Sequence, residues 1–183
     1  PEDAVVLGYV GRLSRVKGAD LLPEILRRLL KEFPNTVLLI AGDGEAKADI
    51  RRQCRRWNLH DHVRLLGFMP DVRPVMAASD AALVPSRQEA FGISALEWMR
   101  MRVPLVASGA GGLGELIAHK QTGWIVEENT PAAYTRAAAE LLQNRPAVQP
   151  VVERAYEQTK AYEIAPYLRR LHGLYQQVLR QPR

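Results

Sequence analysis

The chain has 183 residues, which suits one well-buried domain, and its 47% hydrophobic and 25% charged residues are ordinary for a soluble globular protein. No apolar run approaches the ~20 residues of a membrane span. A single cysteine, Cys54, excludes an internal disulfide framework and fits a reducing, cytoplasmic compartment. The formal charge of +5 is scattered over predicted helices without an aromatic-and-basic module, which argues against nucleic acid as a partner.

Apolar runs and helical spacing alternate along the chain. The runs predict six strands, at residues 5–10, 36–41, 63–66, 81–84, 104–107 and 123–126. Helices are expected from Leu22 to about Phe33 with Asp20 as the cap, in a basic segment ending near Trp57, and at residues 71–78, 93–101, 115–119, 131–143, 148–160 and 164–180. Arg145-Pro146 is expected to separate two of these helices, and the three tryptophans, Trp57, Trp98 and Trp124, to pack helices and sheet.

This alternation predicts an α/β fold with a doubly wound, parallel six-stranded sheet of the Rossmann-like type and extra C-terminal helices. The expected strand order is 3-2-1-4-5-6. In that order the loops after strands one and four flank the point where ligands bind.

The loop after strand one runs from Gly11 to Gly18 and carries Arg12, Arg15 and Lys17. Glycines allow close approach of the backbone to a ligand, and a guanidinium with an ammonium suits a diphosphate. The Walker pattern is absent from this loop.

The loop after strand four leads into a helix and has a carboxylate on each side of Phe91-Gly92. Glu89 precedes the predicted helix, and Glu97 lies about one turn inside it. Unpaired amides at a helix start favour an anion, so a carboxylate there either caps the helix or serves a neutral, hydroxyl-rich group beside the anion.

Together these motifs resemble those of retaining glycosyltransferases with the two-domain GT-B fold, of the large group 1, family-4 type. The resemblance covers residues 5–142 in order: Gly-Arg-Leu-x-x-x-Lys-Gly, Gly-Asp-Gly, Leu-Gly-Phe, Pro-Ser-x-x-Glu-x-Phe-Gly with Glu97 as the second acid of E-x7-E, and Gly-Gly-x-x-Glu.

The resemblance implies transfer of a sugar from a nucleoside-diphosphate sugar, UDP or GDP, to an acceptor hydroxyl with retention, without metal or cofactor. Arg12 and Lys17 would hold the diphosphate and stabilise the departing nucleoside diphosphate, with Gly11 beside them, and Glu89 would hold the transferred sugar. Arg12, Lys17 and Glu89 are the catalytic residues that the resemblance implies. Glu97 would bind the ribose. Residues implied to face the base, sugar or phosphate are Phe68, Met69, Phe91, Gly92, Ile93 and Ser94. Gly42-Asp43-Gly44 is interpreted as a structural turn.

The family's enzymes have two Rossmann-like domains, so residues 1–183 are expected to be the donor-binding domain alone, without the N-terminal acceptor domain. The chain begins with Pro-Glu-Asp, which agrees with a piece of a longer protein. We expect it to bind donor and to transfer sugar poorly or not at all. The last helix either straps onto the missing domain or packs on this one, and peripheral contact with an anionic membrane stays open.

Several alternatives also fit the sequence. Gly109, Gly111 and Gly114 spell a dinucleotide fingerprint, with Glu127 and Glu128 further on, but it follows the fifth strand and precedes a short helix. A GT-B epimerase, a phosphorylase and a non-catalytic nucleotide-binding relative are the others. No D-x-D is present, and His60-x-His62 is interpreted as a solvated turn, so no metal is expected.

Overall fold

Six parallel strands and eight α-helices lie within residues 4–180, the part of the chain that the computed structural model describes. The strands are β1 (Val5–Val10), β2 (Thr36–Ala41), β3 (Val63–Gly67), β4 (Ala81–Val84), β5 (Leu105–Ser108) and β6 (Trp124–Val126). The helices are α1 (Leu22–Leu29), α2 (Lys47–Arg56), α3 (Arg73–Ala77), α4 (Ile93–Arg100), α5 (Gly112–Leu116), α6 (Pro131–Gln143), α7 (Arg145–Thr159) and α8 (Ile164–Arg180). Short 3-10 turns, Ala19–Leu21 and Lys160–Tyr162, precede α1 and α8.

The strands form one sheet in the order β3-β2-β1-β4-β5-β6, which confirms the predicted doubly wound topology. Every neighbouring pair is parallel. All residues of β4 and β5 are buried, as expected for strands covered on both faces. Because β1 and β4 are neighbours, the loops that follow them meet at the centre of the carboxyl edge.

Each face of the sheet has its own apolar cluster. One cluster joins residues of β1, β2, β4, β5 and β6 to helices α1, α2 and α6, and the other packs the opposite face of β4 and β5 against α3, α4 and α5. Trp124 belongs to the first cluster and Trp98, which is fully buried, to the second. Trp57 is half-buried, with the Arg27 guanidinium 5.2 Å from its ring centroid. All three tryptophans therefore pack as predicted.

The predicted cap of the first helix is wrong. Asp20 lies in the 3-10 turn Ala19–Leu21, and α1 begins one turn later with Pro23 in its first turn and no side-chain cap. The Asp20 carboxylate instead pairs with Arg87, at 2.6 Å. The Asp20 carboxylate thus binds a residue distant in sequence instead of the helix amides. The helix tolerates an uncapped start because Pro23 has no N–H that needs an acceptor.

Other helix boundaries also differ from the prediction, and α1 ends at Leu29 rather than at about Phe33. Helix α5 begins at Gly112 rather than Glu115 and ends at Leu116, while His119 forms an isolated bridge to Gly123. Helix α7 begins at Arg145 rather than Val148. The predicted break between α6 and α7 is present. Pro146, however, lies in the first turn of α7, where proline favours the start of a helix.

Helix α8 exposes its apolar face to solvent. Leu171 is half-buried, but the other large apolar residues are 53% to 84% exposed: Ile164, Tyr167, Leu168, Leu174, Tyr175, Val178 and Leu179. This exposure counts against the alternative in which the helix simply packs on its own domain, and the interdomain strap stays a prediction. Among residues 4–180, no helix is both long and apolar enough to cross a membrane.

Candidate functional site

A cleft of about 380 Å³ opens beside β1 and β2 at the carboxyl edge of the sheet. It is lined by Val10, Gly11, Arg12, Ala41, Gly42, Asp43, Phe68, Met69 and Val72. The structure thus brings Gly11 and Arg12 together with Phe68 and Met69, as the motifs predict. The side chain of Phe68 is 79% exposed, which leaves its ring open to a flat ligand.

The turn after β2 supports the back of the first loop. The Gly11 N–H donates to the Ala41 carbonyl at 3.0 Å, and the Leu13 N–H donates to the Asp43 carbonyl at 2.9 Å. A Cβ on Gly42 would lie 1.9 Å from the Gly11 oxygen, so only glycine allows this approach. The predicted structural role of Gly42-Asp43-Gly44 is confirmed.

Arg12 is an unpaired cation at the wall of the cleft. Its side chain is exposed, and its guanidinium has no hydrogen bond or ion pair to any residue between 4 and 180. Its carbonyl accepts a hydrogen bond of 2.7 Å from the Tyr9 hydroxyl. Burial raises the pKa of Tyr9, so the phenol stays protonated and keeps donating. The loop is held while the guanidinium stays available to an anion.

Lys17 and Glu89 form an ion pair of 2.7 Å between the first loop and the loop after β4. The Ser86 hydroxyl also lies 3.3 Å from the same carboxylate oxygen. The exposed side-chain fractions are 32% for Lys17 and only 10% for Glu89. The topology predicted that these residues would be neighbours, but their direct pairing was not predicted.

The glycine-rich loop after β5 lies directly against Glu89. The Gly112 N–H donates to the Glu89 carbonyl at 3.1 Å, and a Cβ on Gly111 would lie 2.1 Å from that oxygen. A Cβ on Gly112 would lie 2.6 Å from the Ala90 carbonyl oxygen. The Gly-Gly-x-x-Glu segment is therefore a support for the acidic loop.

The start of α4 presents free amides beside this loop. Gly92 precedes the helix with φ 97°, a left-handed conformation that favours glycine, and no side chain caps the helix. The first amides, including those of Ile93 and Ser94, have no intrahelical acceptor. Phe91 is exposed and packs edge-on against Tyr162, with ring centroids 5.6 Å apart. The free amides at the N-terminus of this uncapped helix suit a phosphate or a polar sugar.

Glu97 lies apart from the cleft of Arg12 and Phe68. It lines a depression with Arg100 and Tyr162, and its carboxylate has no hydrogen bond or ion pair within the described part of the chain. The residue is exposed overall, yet partial burial of its carboxyl raises the pKa. Its assignment to the ribose stays a prediction.

The competing sequence interpretations have less support. Helix α5, which would follow the dinucleotide fingerprint, has five residues. His62 Nδ1 lies 2.9 Å from the Thr36 carbonyl oxygen, and His60 lies beside Asp61. Between residues 4 and 180, no three His, Cys, Asp or Glu side chains cluster as metal ligands would.

With this geometry in place, comparison with known proteins gives the family. The profile of the family described as glycosyl transferases group 1 matches residues 1–158. The chain belongs to this family. It is 29% identical over 180 residues to the alpha-D-kanosaminyltransferase of Streptomyces kanamyceticus. The aligned region covers 97% of this chain and 47% of that enzyme.

Solved structures give the fold of this group 1 domain. Anabaena HepE in complex with UDP superposes with a TM-score of 0.88 at 22% identity, covering 96% of the chain and 49% of HepE. The C-terminal domain of the group 1 protein LpcC from Francisella tularensis superposes with a TM-score of 0.78 at 23% identity, covering 87% of each chain. The chain has the architecture of the C-terminal domain of the GT-B fold. It spans about half or less of the length of the curated relatives it matches.

Proposed function

We propose that this chain is the donor-binding domain of a retaining, metal-independent glycosyltransferase. The whole enzyme would transfer a sugar from a nucleoside-diphosphate sugar to an acceptor hydroxyl. One observation carries the proposal: the unpaired Arg12 lines a cleft, and the Lys17–Glu89 pair joins the same loop to the loop that starts α4. Cations suit a diphosphate and a carboxylate suits hydroxyls, so this arrangement supports the proposal.

The reaction needs stabilisation of the charge that develops on the departing nucleoside diphosphate. Arg12 supplies a planar fork of N–H donors, and Lys17 supplies a point charge. Fixed cations beside the leaving group lower the barrier electrostatically, which is also the task of a metal ion in other transferases. These two residues are the proposed catalytic cations.

The hydroxyl-rich parts of the donor are assigned to carboxylates and amides. Glu89, nearly buried, accepts hydrogen bonds from the transferred sugar, and the Ile93 and Ser94 amides face sugar and phosphate. Glu97 takes the ribose. Phe68 and Met69 take the base, which the volume of their cleft and the exposed Phe68 ring support. Retention rests on the resemblance of the E-x7-E motif to that of retaining enzymes.

UDP or GDP is the proposed nucleotide of the donor. The structural relative HepE, solved with UDP, favours testing uracil first. A domain of this family has also been solved alone, as the C-terminal domain of LpcC. The chain should therefore fold without a partner domain, so nucleotide binding can be tested on the chain alone.

The acceptor is assigned to a separate N-terminal domain of the full-length protein. The observation in favour is the apolar face of α8, which includes Tyr167, Leu168 and Leu179 and is exposed on this domain. Burial of such a face stabilises an association by roughly 25 cal/mol per Å² of apolar surface. On this proposal the chain alone binds donor but transfers no sugar.

Calorimetric titration with UDP, GDP, ADP and CDP tests the proposal. We expect one nucleotide to bind, and Lys17→Ala, Arg12→Ala and Glu97→Ala each to weaken it, with affinity unaffected by EDTA. Lys31→Ala, which removes an exposed lysine two residues beyond α1, is the control. No binding of any nucleotide by the chain or the full-length protein would refute the proposal. Detectable sugar transfer by this chain alone would refute the assignment of the acceptor to another domain.

A further inference from the structure

The Arg87 side chain reaches from the loop after β4 to the first loop. Its Nη1 donates to the Arg15 carbonyl at 2.5 Å and to Asp20 Oδ1 at 2.6 Å, and its Nη2 donates to Asp20 Oδ2 at 2.9 Å. A fork that meets both carboxylate oxygens fixes orientation as well as distance. Arg87 thus holds two points of a segment about 70 residues earlier in the chain.

The main chain joins the same two loops. The Arg87 N–H donates to the Val16 carbonyl at 2.7 Å, and the Gln88 N–H lies 3.3 Å from the same oxygen. Gly18, with φ 68°, packs so closely that a Cβ there would lie 1.8 Å from the Pro85 oxygen. Arg87 therefore joins the two loops through its backbone N–H, and its side chain adds the bonds to Arg15 and Asp20.

These contacts bracket the residues proposed to act on the donor. Lys17 lies between Val16, which accepts from the backbone of Arg87, and Asp20, which accepts from its side chain. Glu89 is two residues beyond Arg87 and meets Lys17 at 2.7 Å. A shift of the first loop would move Lys17 relative to both Glu89 and the start of α4.

We propose that Arg87 is a positioning residue of the donor site. Through Asp20 and the Arg15 carbonyl it holds the first loop in the shape that directs Lys17 and Arg12 at the diphosphate, without contacting the phosphate itself. The inference rests on the proposed donor site. The rival role is a third phosphate-binding cation, and the two make opposite predictions for Asp20. A phosphate ligand would be freed when Asp20 loses its charge, whereas a positioning residue would lose its anchor.

Nucleotide affinity of single and double variants separates these roles. Using the nucleotide that the wild type binds best, we expect Arg87→Ala and Asp20→Asn each to weaken binding about fivefold to twentyfold. The double variant should lose no more nucleotide affinity than the weaker-binding single variant, because both changes remove the same Arg87–Asp20 interaction. Arg87→Ala should reduce nucleotide affinity much less when Lys17 is already alanine, because Arg87 is proposed to act through the position of Lys17. Arg87→Lys should recover part of the loss, since lysine retains the charge but not the fork.

Arg27→Ala is the matched control. Arg27 also forms a two-pronged pair with a carboxylate, that of Glu24, but within α1. We expect it to leave nucleotide affinity unchanged. Stronger binding by Asp20→Asn, or additive losses in the double variant, would overturn the positioning role and favour direct phosphate contact.

Hydrogen exchange of the amides in residues 12–18, measured without nucleotide, provides an independent readout. Arg87→Ala and Asp20→Asn should both speed exchange there, while Arg27→Ala should not. Unchanged exchange in both variants would refute the proposal whether or not nucleotide binds. If the wild type binds no nucleotide but exchange responds as expected, the donor site fails and the contact between the loops stands.

Discussion

Replacing Glu89 with glutamine should affect bare nucleotide and sugar nucleotide differently. In the structure the Glu89 carboxylate lies 2.7 Å from the Lys17 ammonium and is 10% exposed. A diphosphate that needs Lys17 must therefore compete with Glu89 and must also approach a negative charge. Glutamine keeps the shape and one acceptor oxygen but removes the charge, so Lys17 becomes available.

The size of the effect follows from the geometry. A hydrogen bond with a charged partner contributes about 1.5–3 kcal/mol, and partial exposure of Lys17 reduces this to ~1–2 kcal/mol. The released lysine should tighten binding of bare nucleotide about fivefold to thirtyfold. A sugar nucleotide gains the same free energy from the released lysine, but its hydroxyls lose charged hydrogen bonds to Glu89, at a cost of about 1.5–3 kcal/mol. Its affinity should stay the same or fall.

Calorimetry with UDP and UDP-glucose, or with the GDP pair if guanine is the base, measures both affinities. The ratio of the two affinities should shift toward bare nucleotide by about tenfold or more in Glu89→Gln. Glu128→Gln, which makes the same change at an exposed residue, should leave the ratio unchanged. If Glu89→Gln weakens bare nucleotide as much as sugar nucleotide, the carboxylate does not compete for Lys17 and the reasoning is wrong.

Three further predictions concern other parts of the domain. Tyr9→Phe removes the hydrogen bond to the Arg12 carbonyl. Calorimetry should show nucleotide binding weakened about fivefold, and the melting temperature should change little because the ring stays buried. Glu97→Gln should raise the melting temperature at pH 7 while weakening nucleotide binding. Burial raises the pKa of Glu97 in the folded state, so its charge opposes folding above that pKa, and the gain should vanish as the pH falls through it. Leu168→Glu with Leu174→Glu should leave the melting temperature of this chain unchanged, because both side chains are exposed, yet reduce sugar transfer by the full-length protein.

Each of these has a distinct contradicting result. Tyr9→Phe with wild-type affinity would show that the first loop keeps its shape without the hydroxyl. A Glu97→Gln protein whose stability equals the wild type's at every pH would remove the evidence for an uncompensated carboxylate. A marked fall in melting temperature for the α8 variant would show that its face is buried within this domain. The exposed pair Arg169→Ala and Gln176→Ala controls for changes on the same helix.

Local sequence was sufficient for the elements and their order. Apolar runs such as Ala81–Val84 predict strands because a strand covered on both faces needs no polar side chain. The alternation of strands and helices then allows few topologies, and the observed sheet order is the predicted one. Boundaries failed where a local signal had two meanings: Pro146, expected to end one helix, also begins the next.

The sequence placed Arg12, Lys17, Glu89 and Phe68 on loops that a parallel sheet brings to one edge, and the structure gathers Arg12 with Phe68 and Lys17 with Glu89. It did not indicate which side chains bond to which. Asp20 fits a helix cap by its position, yet it pairs with Arg87, and Glu97 lies in a different depression from Phe68. Propensity and spacing act over a few residues, so the chain by itself determined its strands, its helices and the chemistry of its loops. The pairing of charges across those loops depends on how β1 and β4 lie side by side, and only the tertiary structure decided it.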